Sequence, residues 1–508
     1  MTKKRLSSVS KVQPEVLDGG HGWFVVVASC IVLFFCLGVN ASMGPFFVAL
    51  RHYFQESASK TSWISATVSF LVMSTGPIAN KATTQFGCRA VVMFGGFLSS
   101  AGFVISSFAT SIYQLYFSFG ILVGFSYGLI FSPSVAFLGK YFNRRHALAN
   151  SLAFAGVGVA IICLSPLFQT LIDAYGWRGA MVVLAGMNLN ICVAGALYRP
   201  PPTILSQAEF RRNSTNVDMP VKETVPGGGD QCEAGKKERC NLCSVCTFFG
   251  INCNLLCDSY RYAMLPYITF TMGYGYYAIV VHLLPRAIVK GVDWTKAPFL
   301  VSIFGILSLI GRFAHGGLLH TMKFISAFQM CVGSLVVCGL GTALSGFAWT
   351  FEAMVVYCVV LGFTSGTFLP VVPVAIKDFL GGHNLGSAYP LVNIFMGVGG
   401  IIGPPLSGWL YDMTDNYDIP FIVSGVLLMS TMVTLFMDPC LKKLDDKLDA
   451  EETASLSAKP GNDEMEAIKV TSVHAAQGDD KVDTAECTSS SETSDVHNLD
   501  GIVQNTGV

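Results

Sequence analysis

The sequence is poor in charged residues. Asp, Glu, Lys and Arg make up only 13% of its 508 residues, whereas an ordinary soluble domain carries about 25%. Hydrophobic residues make up 52%, and the mean hydropathy is +0.53. Because so little charge is present to cover a water-facing surface, we expect a membrane protein rather than a soluble globule.

The sequence also lacks a basic excess and the common catalytic patterns. Its formal net charge is −1, which argues against the basic surface that binds nucleic acid. No Ser/His/Asp, His-rich or P-loop pattern lies outside the apolar segments, which disfavours an enzyme. We therefore expect no catalytic residue, no cofactor and no metal.

Apolar runs of about 20 residues, each long enough to cross a bilayer, recur along the chain. The first run lacks a small-residue cleavage site, so we expect it to remain as a helix. These runs predict an all-α membrane protein with twelve transmembrane helices. The predicted spans lie near 23–47, 62–82, 90–109, 113–138, 147–172, 178–198, 261–283, 297–319, 324–346, 351–376, 386–410 and 419–437.

Polar stretches divide the spans into two six-helix bundles. Lys and Arg collect in these stretches, and the positive-inside rule therefore places both termini and the middle loop in the cytosol. The polar stretches are too poor in apolar residues to fold alone, so the loop and the tail are expected to be flexible. The predicted segments are an N-terminus at 1–22, bundles at 23–198 and 261–438, a loop at 199–260 and a disordered tail at 439–508.

Two bundles of six helices joined by a long cytosolic loop are the plan of a major facilitator transporter, whose halves rock around a midplane site. Two motifs make the resemblance to a transporter more specific. "DGGHGW" (Asp18 to Trp23) and "KYFNRRHALANSLAFAG" (Lys140 to Gly156) resemble the two signatures of the monocarboxylate transporter family, in the expected order. The stretch "GPPLSGWLYDMTDNYDIPF" (Gly403 to Phe421) also resembles that family's eleventh helix. The resemblance implies a multi-pass carrier of the plasma membrane.

The signature residues have structural interpretations beside functional ones. Asp18 suits the positive end of a helix, Gly19 and Gly20 allow close backbone approach, and Trp23 suits the headgroup boundary. We interpret this motif as a helix start and hinge rather than a solute ligand. Arg144 and Arg145 are interpreted as a cytosolic positive clamp, and the alternative is that they pair with acids across the two halves.

Arg312 is the strongest candidate for binding a solute. It lies inside the eighth span, in "FGILSLIGRFAHGG", with no acidic residue nearby in the sequence. A cation at mid-bilayer costs about 2.5–3.5 kcal/mol, so it should face the bundle interior. Its planar fork matches a carboxylate. The alternative is an arginine that extends to the cytosolic edge near His320 and Lys323.

The family resemblance bears on proton coupling. Proton-coupled members keep an acid one turn before this arginine and a lysine in the first helix, where this chain has Ser308 and Ala41. We therefore favour facilitated transport of a carboxylate-bearing solute, such as an amino acid, an aromatic acid or a creatine-like compound. The alternatives are a proton-linked lactate or pyruvate symporter and, in another class, a receptor or scaffold without net flux.

Polar residues in other spans are candidates to line a central cavity, although such residues often join helices instead. His282 lies near the outer end of its span, where an interfacial anchor is expected and titration is the alternative. The candidates are Asn40, Ser42, Ser126, Tyr127, Ser132, Ser134, Tyr274, Tyr277, His282, Thr364, Ser365 and Thr367.

Three features outside the spans suggest partners or modification. Cys240, Cys243 and Cys246 precede the seventh span, where reversible acylation is favoured over zinc binding. Thr506 and Val508 end the chain with the pattern of a PDZ-domain ligand. The family resemblance also implies a single-pass immunoglobulin-like glycoprotein as an ancillary partner.

The predicted topology can be tested at the sequon Asn213-Ser214-Thr215, which falls in the predicted cytosolic loop. We expect Asn213 to carry no glycan, because glycosylation occurs on the outer side. Treatment of the protein from mammalian cells with an amidase that removes N-glycans should leave its gel mobility unchanged. A mobility shift that Asn213→Gln abolishes would invert the topology.

Overall fold

The computed structural model describes residues 19–142, 145–199, 259–294, 296–321, 326–347, 350–380 and 385–457. Within these ranges the chain forms helices and no strand. The α-helices of the first half are α1 Gly22–Leu33, α2 Val39–Ala41, α3 Gly44–Phe54, α4 Ala58–Ser74, α5 Gly76–Phe86, α6 Cys88–Ser107, α7 Ile112–Leu115, α8 Gly124–Tyr141, α9 His146–Asn188 and α10 Asn190–Ala196. Those of the second half are α11 Leu265–Val289, α12 Ala297–Thr321, α13 Ala327–Leu344, α14 Phe351–Leu380, α15 Leu385–Thr414, α16 Asp418–Ser430 and α17 Met432–Ser457.

The helices account for the twelve predicted spans. Of the described helices, nine are long and apolar enough to cross a membrane, or ten if the bent pair α4 and α5 is one span. The remaining two predicted spans lie in the second part of the segment Leu148–Ala196 and in α11, which is rich in tyrosine and glycine. The structure therefore confirms the predicted fold class.

Interruptions in the helices occur where the sequence weakens regular hydrogen bonding. In the first span a π-helical turn, Phe34–Gly38, follows α1, and the chain breaks at Ser42 before Pro45 starts α3. The long helix α9 bends at Gly176, whose φ of 68° is left-handed and favours glycine. The bend separates the fifth span from the sixth.

Successive spans run in opposite directions, so the loops between them lie at two ends of the bundle. We call the end that holds Gly22 and Arg199 the loop side, because the described chain stops there and resumes at Ser259. The end that holds Gln55 and Asp415, between successive spans, is the far side.

Glycines allow helices of the first half to approach closely. A Cβ atom at Gly156 would lie 2.2 Å from the carbonyl oxygen of Cys30, and one at Gly38 would lie 2.1 Å from the Cβ of Ala160. Small residues commonly permit such contacts between membrane helices. The end of the second signature, which includes Gly156, therefore holds α9 against the first span.

Two seams join the first half to the second half. In one seam α4 packs against α15, where a Cβ at Gly397 would lie 3.1 Å from the carbonyl oxygen of Phe70. In the other seam α9 packs against α12, where a Cβ at Gly158 would lie 3.0 Å from the Cβ of Leu309.

The last helix is longer than the sequence predicted. A disordered tail was expected from residue 439, but α17 continues to Ser457. The segment is rich in Leu, Lys, Asp, Ala and Glu, and all of these except Asp favour a helix. Asp445 also accepts hydrogen bonds from the hydroxyl of Ser259 at 2.8 Å and the backbone N–H of Tyr260 at 2.8 Å.

The segments 1–18, 200–258 and 458–508 lie outside the described residues.

The close packing at Gly156 predicts a loss of stability on substitution. We expect Gly156→Ala to lower the free energy of unfolding by about 1–3 kcal/mol, because the added methyl group overlaps a backbone carbonyl. Gly186→Ala is the matched control, since a Cβ there would meet nothing within 4 Å. Thermal unfolding of the two purified variants measures the difference. Equal midpoints would contradict the packing argument.

Candidate functional site

Arg312 lies in α12 and is only 1% exposed. One terminal nitrogen, Nη1, donates across the seam to the carbonyl oxygen of Phe154 in α9. The other, Nη2, lies 3.4 Å from the hydroxyl of Ser308, one helical turn earlier. The side chain therefore points into the bundle, and the alternative of extension to the membrane edge is wrong.

Glycines explain how an arginine is enclosed at this place. A Cβ at Gly366 of α14 would lie 2.3 Å from the carbonyl oxygen of Ser308, so α14 covers α12 closely. Gly158 gives the same close contact on the α9 side. Arg312 of α12 thus lies where α9 of the first half and α14 of the second half both approach its helix.

The charge of Arg312 is surrounded by neutral acceptors. No ion pair found within the described ranges includes Arg312, and its Nε has no hydrogen-bond partner there. Arg286, which is 2% exposed, differs because its Nη2 lies 3.0 Å from a carboxylate oxygen of Asp418. A buried cation that holds only carbonyl and hydroxyl oxygens is suited to accept an anion.

An aromatic group of α11 and α14 lies beside the arginine. Tyr276 lies close enough to Arg312 for the two side chains to interact electrostatically. Its ring centroid is 5.6 Å from that of Phe368 and 5.4 Å from that of Tyr277. Tyr276 was not among the residues predicted from the sequence. The stretch "YGYYA" contains three tyrosines, and only the position of Tyr276 next to Tyr277 could have indicated it.

The polar contacts continue into the first half. A Cβ at Gly400 would lie 2.8 Å from the ring of Tyr277 and 3.3 Å from the Cβ of Ser69. The hydroxyl of Ser69 accepts a hydrogen bond of 2.8 Å from the Nδ2 of Asn40. The structure thus connects several predicted residues in one layer between the halves. We call this set the central layer: Arg312, Ser308, Tyr276, Tyr277, Ser69 and Asn40.

Ser42 is a further polar group in the first span. It is fully buried at the break between α2 and α3, and its hydroxyl has no hydrogen-bond partner within the described residues. A buried hydroxyl without a partner is costly, so Ser42 remains a candidate ligand beside Asn40.

Tyr127 lies within the first half rather than in the central layer. Its hydroxyl donates to the Oδ1 of Asn188 at 2.8 Å, and its ring packs 6.4 Å from that of Phe103. The neighbouring serines of α8 bond within their own half as well: Ser126 to Leu122, Ser132 to Asn80 and Ser134 to Ile130. The bonds of Tyr127 and Ser132 join helices of the first half, whereas those of Ser126 and Ser134 stay within their own span, and we leave all four residues out of the central layer.

Two of the remaining candidates of the second half, Thr364 and Ser365, bond within their own helix. The hydroxyl of Thr364 donates to the carbonyl of Val360 at 2.8 Å, and the side chain lies beside Cys338 of α13. Tyr274 packs its backbone against α15, where a Cβ at Gly403 would lie 2.4 Å from the carbonyl of Tyr274. Ser365 donates to Gly362 at 3.0 Å, and Thr367 is buried.

His282 is not an interfacial anchor, so that expectation is wrong. Its exposed fraction is 0%. The Nε2 atom lies 3.3 Å from the hydroxyl of Ser62 and 2.9 Å from the carbonyl oxygen of Pro404. Both partners are distant in the sequence, and they draw the ring inward between α4 and α15.

The two signatures meet at the loop side of the first half. The ring of Trp23 lies 5.1 Å from that of Phe142, and a Cβ at Gly22 would lie 3.0 Å from the Phe142 ring. His21 Nε2 lies 3.1 Å from the carbonyl oxygen of Leu197, at the end of the sixth span. These contacts favour the structural interpretation of the first signature over a role in binding solute.

Other signature residues are less defined. Gly20 has a φ of 60°, a left-handed conformation that glycine adopts without strain, and Gly19 precedes it. Arg145 is exposed on the loop side. Asp18 and Arg144 lie outside the described residues, as do Cys240, Cys243, Cys246, Thr506 and Val508. Within the described ranges no group of three or more His, Cys, Asp or Glu residues is arranged for a metal ion.

Comparison with known proteins relates this architecture to carriers. The sequence profile of the Major Facilitator Superfamily matches residues 29–360 and, in a second match, residues 330–461. Monocarboxylate transporter 12 of Mus musculus is 32% identical over 450 residues, which cover 87% of this chain and 90% of that protein. Monocarboxylate transporter 13 of Rattus norvegicus is 33% identical over 428 residues, with 83% and 89% covered. Monocarboxylate transporter 11 of Homo sapiens is 30% identical over 419 residues, with 81% and 82% covered.

The placement of Tyr127 leads to a test of its structural role. We expect Tyr127→Phe to lower the free energy of unfolding by about 1–3 kcal/mol, because the buried acceptor of Asn188 loses its donor. Tyr113→Phe, at a ring that is 60% exposed, is the control. Thermal unfolding compares the two variants. An unchanged midpoint together with weakened solute binding would return Tyr127 to the site.

Proposed function

Because the chain belongs to the monocarboxylate transporter family of the Major Facilitator Superfamily, and is thus a membrane solute transporter, we propose that it carries a small carboxylate-bearing solute by alternating access. Arg312 is the proposed ligand of the carboxylate. The names of the relatives support a monocarboxylate as the class of solute. Membership of a family of transporters also removes the enzyme interpretation.

The burial of Arg312 without an ion pair to any described residue is the observation that carries this proposal. Two hydrogen bonds from a guanidinium to a carboxylate are stronger than bonds to neutral oxygens. A solute carboxylate would therefore compete well with the carbonyl of Phe154 and the hydroxyl of Ser308. Asn40, Ser42, Tyr276 and Tyr277 are the proposed remaining contacts.

The same contact suggests how binding is linked to movement. Arg312 joins α12 of the second half to Phe154 of the first half. A carboxylate that takes the place of the Phe154 carbonyl removes one bond across the α9–α12 seam. Binding of the solute would then favour relative movement of the halves, because ligands shift a population only by their differential affinity for its states.

Ser308 supports facilitated transport without strict proton coupling. A serine hydroxyl does not ionise in the physiological range, so the pair Arg312 and Ser308 has no acid to carry a proton. Asn40 and Ala41 of the first span are likewise neutral. The aromatic rings of Tyr276, Tyr277 and Phe368 favour a solute with an apolar or aromatic body, such as an aromatic acid or an amino acid. A proton-linked lactate or pyruvate symporter is the alternative.

Location and partners form the second part of the proposal. The distribution of Lys and Arg supports cytosolic termini, a cytosolic loop side and an outward-facing far side. A plasma-membrane location follows the family. An immunoglobulin-like ancillary glycoprotein and a PDZ-domain protein at Thr506 and Val508 are proposed partners.

Substitution of Arg312 tests the proposed site. We expect Arg312→Gln to reach the cell surface but to lose at least about tenfold in uptake, because a charged hydrogen bond contributes about 1.5–3 kcal/mol. Arg89→Gln, at an exposed arginine on the loop side, is the matched control. The measurement is uptake of labelled lactate, pyruvate, aromatic amino acids and creatine at external pH 6 and 7.5, with surface biotinylation. Normal uptake by Arg312→Gln would refute the site.

The uptake panel also separates the alternatives. Uptake that does not depend on pH supports a facilitated carrier. Lactate uptake that rises at pH 6 would favour the symporter and would require a proton site other than Ser308. Failure of the wild-type protein to give saturable uptake of any solute would favour a receptor or scaffold.

A further inference from the structure

The far side of the α4–α15 seam contains a carboxylate that binds across the two halves. Asp412, in the last turn of α15, directs both carboxylate oxygens at the start of α4. Its Oδ1 accepts a hydrogen bond of 3.0 Å from the backbone N–H of Ala58, and its Oδ2 accepts one of 2.9 Å from that of Ser59. The carboxylate thus bridges the second half to the first residues of a helix in the first half.

The start of a helix is favourable for a carboxylate. The first backbone N–H groups of a helix have no acceptor within it, and the helix dipole gives this end a partial positive charge. However, α4 already has a local cap, because the hydroxyl of Ser57 accepts from the backbone N–H of Lys60 at 3.2 Å. This cap leaves the N–H groups of Ala58 and Ser59 to Asp412, whose two bonds therefore act between the halves.

Neighbouring contacts bring the two helices together at this place. The hydroxyl of Ser59 donates to the carbonyl oxygen of Pro405 at 3.1 Å. A Cβ at Gly408 would lie 2.7 Å from the backbone nitrogen of Ser59. One turn deeper, His282 Nε2 lies between Ser62 and Pro404. The far side of this seam is closed by backbone groups and small polar side chains.

Aromatic rings cover the outer face of these contacts. The rings of Tyr411 and Tyr417 are stacked at 3.9 Å, and the guanidinium of Arg51 lies 5.1 Å from the Tyr411 ring. Arg51 belongs to α3 of the first half, so this contact also crosses the seam. It places a cation near Asp412 without an ion pair between Arg51 and that carboxylate in the described structure.

We propose that Asp412 is the gating residue of the far side: its carboxylate latches α15 to the start of α4 when that side is closed, and release of these bonds accompanies opening. The proposal rests on the proposed function only in assuming that the halves alternate. The latch is reversible because water can replace both partners. The side-chain oxygens of Asp412 and the N–H groups at a helix start are both readily hydrated.

The experiment compares Asp412→Asn with Asp415→Asn in a Ser62→Cys background. Asp415 lies three residues further on, is exposed, and has a φ of 51°, which asparagine also tolerates. Ser62 is 0% exposed below the latch, so a thiol there reports opening. The purified protein is labelled in detergent with a polar maleimide, which reaches both sides. Parents without Ser62→Cys correct for the native cysteines.

We expect Asp412→Asn to raise the labelling rate at position 62 about tenfold, since a charged acceptor is replaced by a neutral one. Asp415→Asn should leave the rate unchanged. Equal rates in the two variants would overturn the proposal. Because labelling needs no solute, a wild-type protein that fails to transport any member of the panel would not affect this result.

A second variant covers the case in which Asp412→Asn does not fold. Gly408→Ala keeps the carboxylate but inserts a methyl group against the backbone of Ser59. It should also raise the labelling rate at position 62, whereas Gly186→Ala should not. No increase with Gly408→Ala would count against the latch as strongly as equal rates for the two aspartate variants.

Discussion

A buried cation that pairs with no anionic side chain in the described part of the protein is the constraint on which the rest of this structure depends. The guanidinium of Arg312 is buried among lipid-spanning helices, where an uncompensated charge is costly. A backbone carbonyl from Phe154 and a hydroxyl from Ser308 surround it, and Gly366 lets α14 cover it closely. The fold thus stabilises the charge with neutral dipoles, which is the arrangement on which the proposed binding of a carboxylate rests.

In both seams between the halves, glycines bring a helix of one half close to a helix of the other. Large side chains that interdigitate would have to change conformation before the halves separated, since close-packed interiors resist deformation. Gly158 and Gly397 instead allow smooth contact between helices. Because the α4–α15 and α9–α12 seams join the same two halves, the proposed opening of the far side would also change the surroundings of Arg312.

The sequence allowed correct predictions where the thickness of the membrane and the cost of burying a charge determine the structure. Span lengths follow from membrane thickness, and a lone arginine in an apolar run is visible without tertiary contacts. The position of Tyr276 was not predictable, because the crossing of α11 with α12 and α14 determines which tyrosine approaches the arginine. His282 was misplaced for a similar reason: Ser62 and Pro404, which draw it inward, are distant in the chain.

The oxygen that accepts a hydrogen bond from Nη1 of Arg312 belongs to the peptide backbone of residue 154. No amino-acid substitution removes a main-chain carbonyl, whereas every side chain around the solute is open to replacement. Over evolutionary time the aromatic and polar contacts can therefore be exchanged while the resting partner of the arginine persists. An arrangement of this kind allows the side chains around the arginine to diverge without loss of the bond that holds the arginine in the fold.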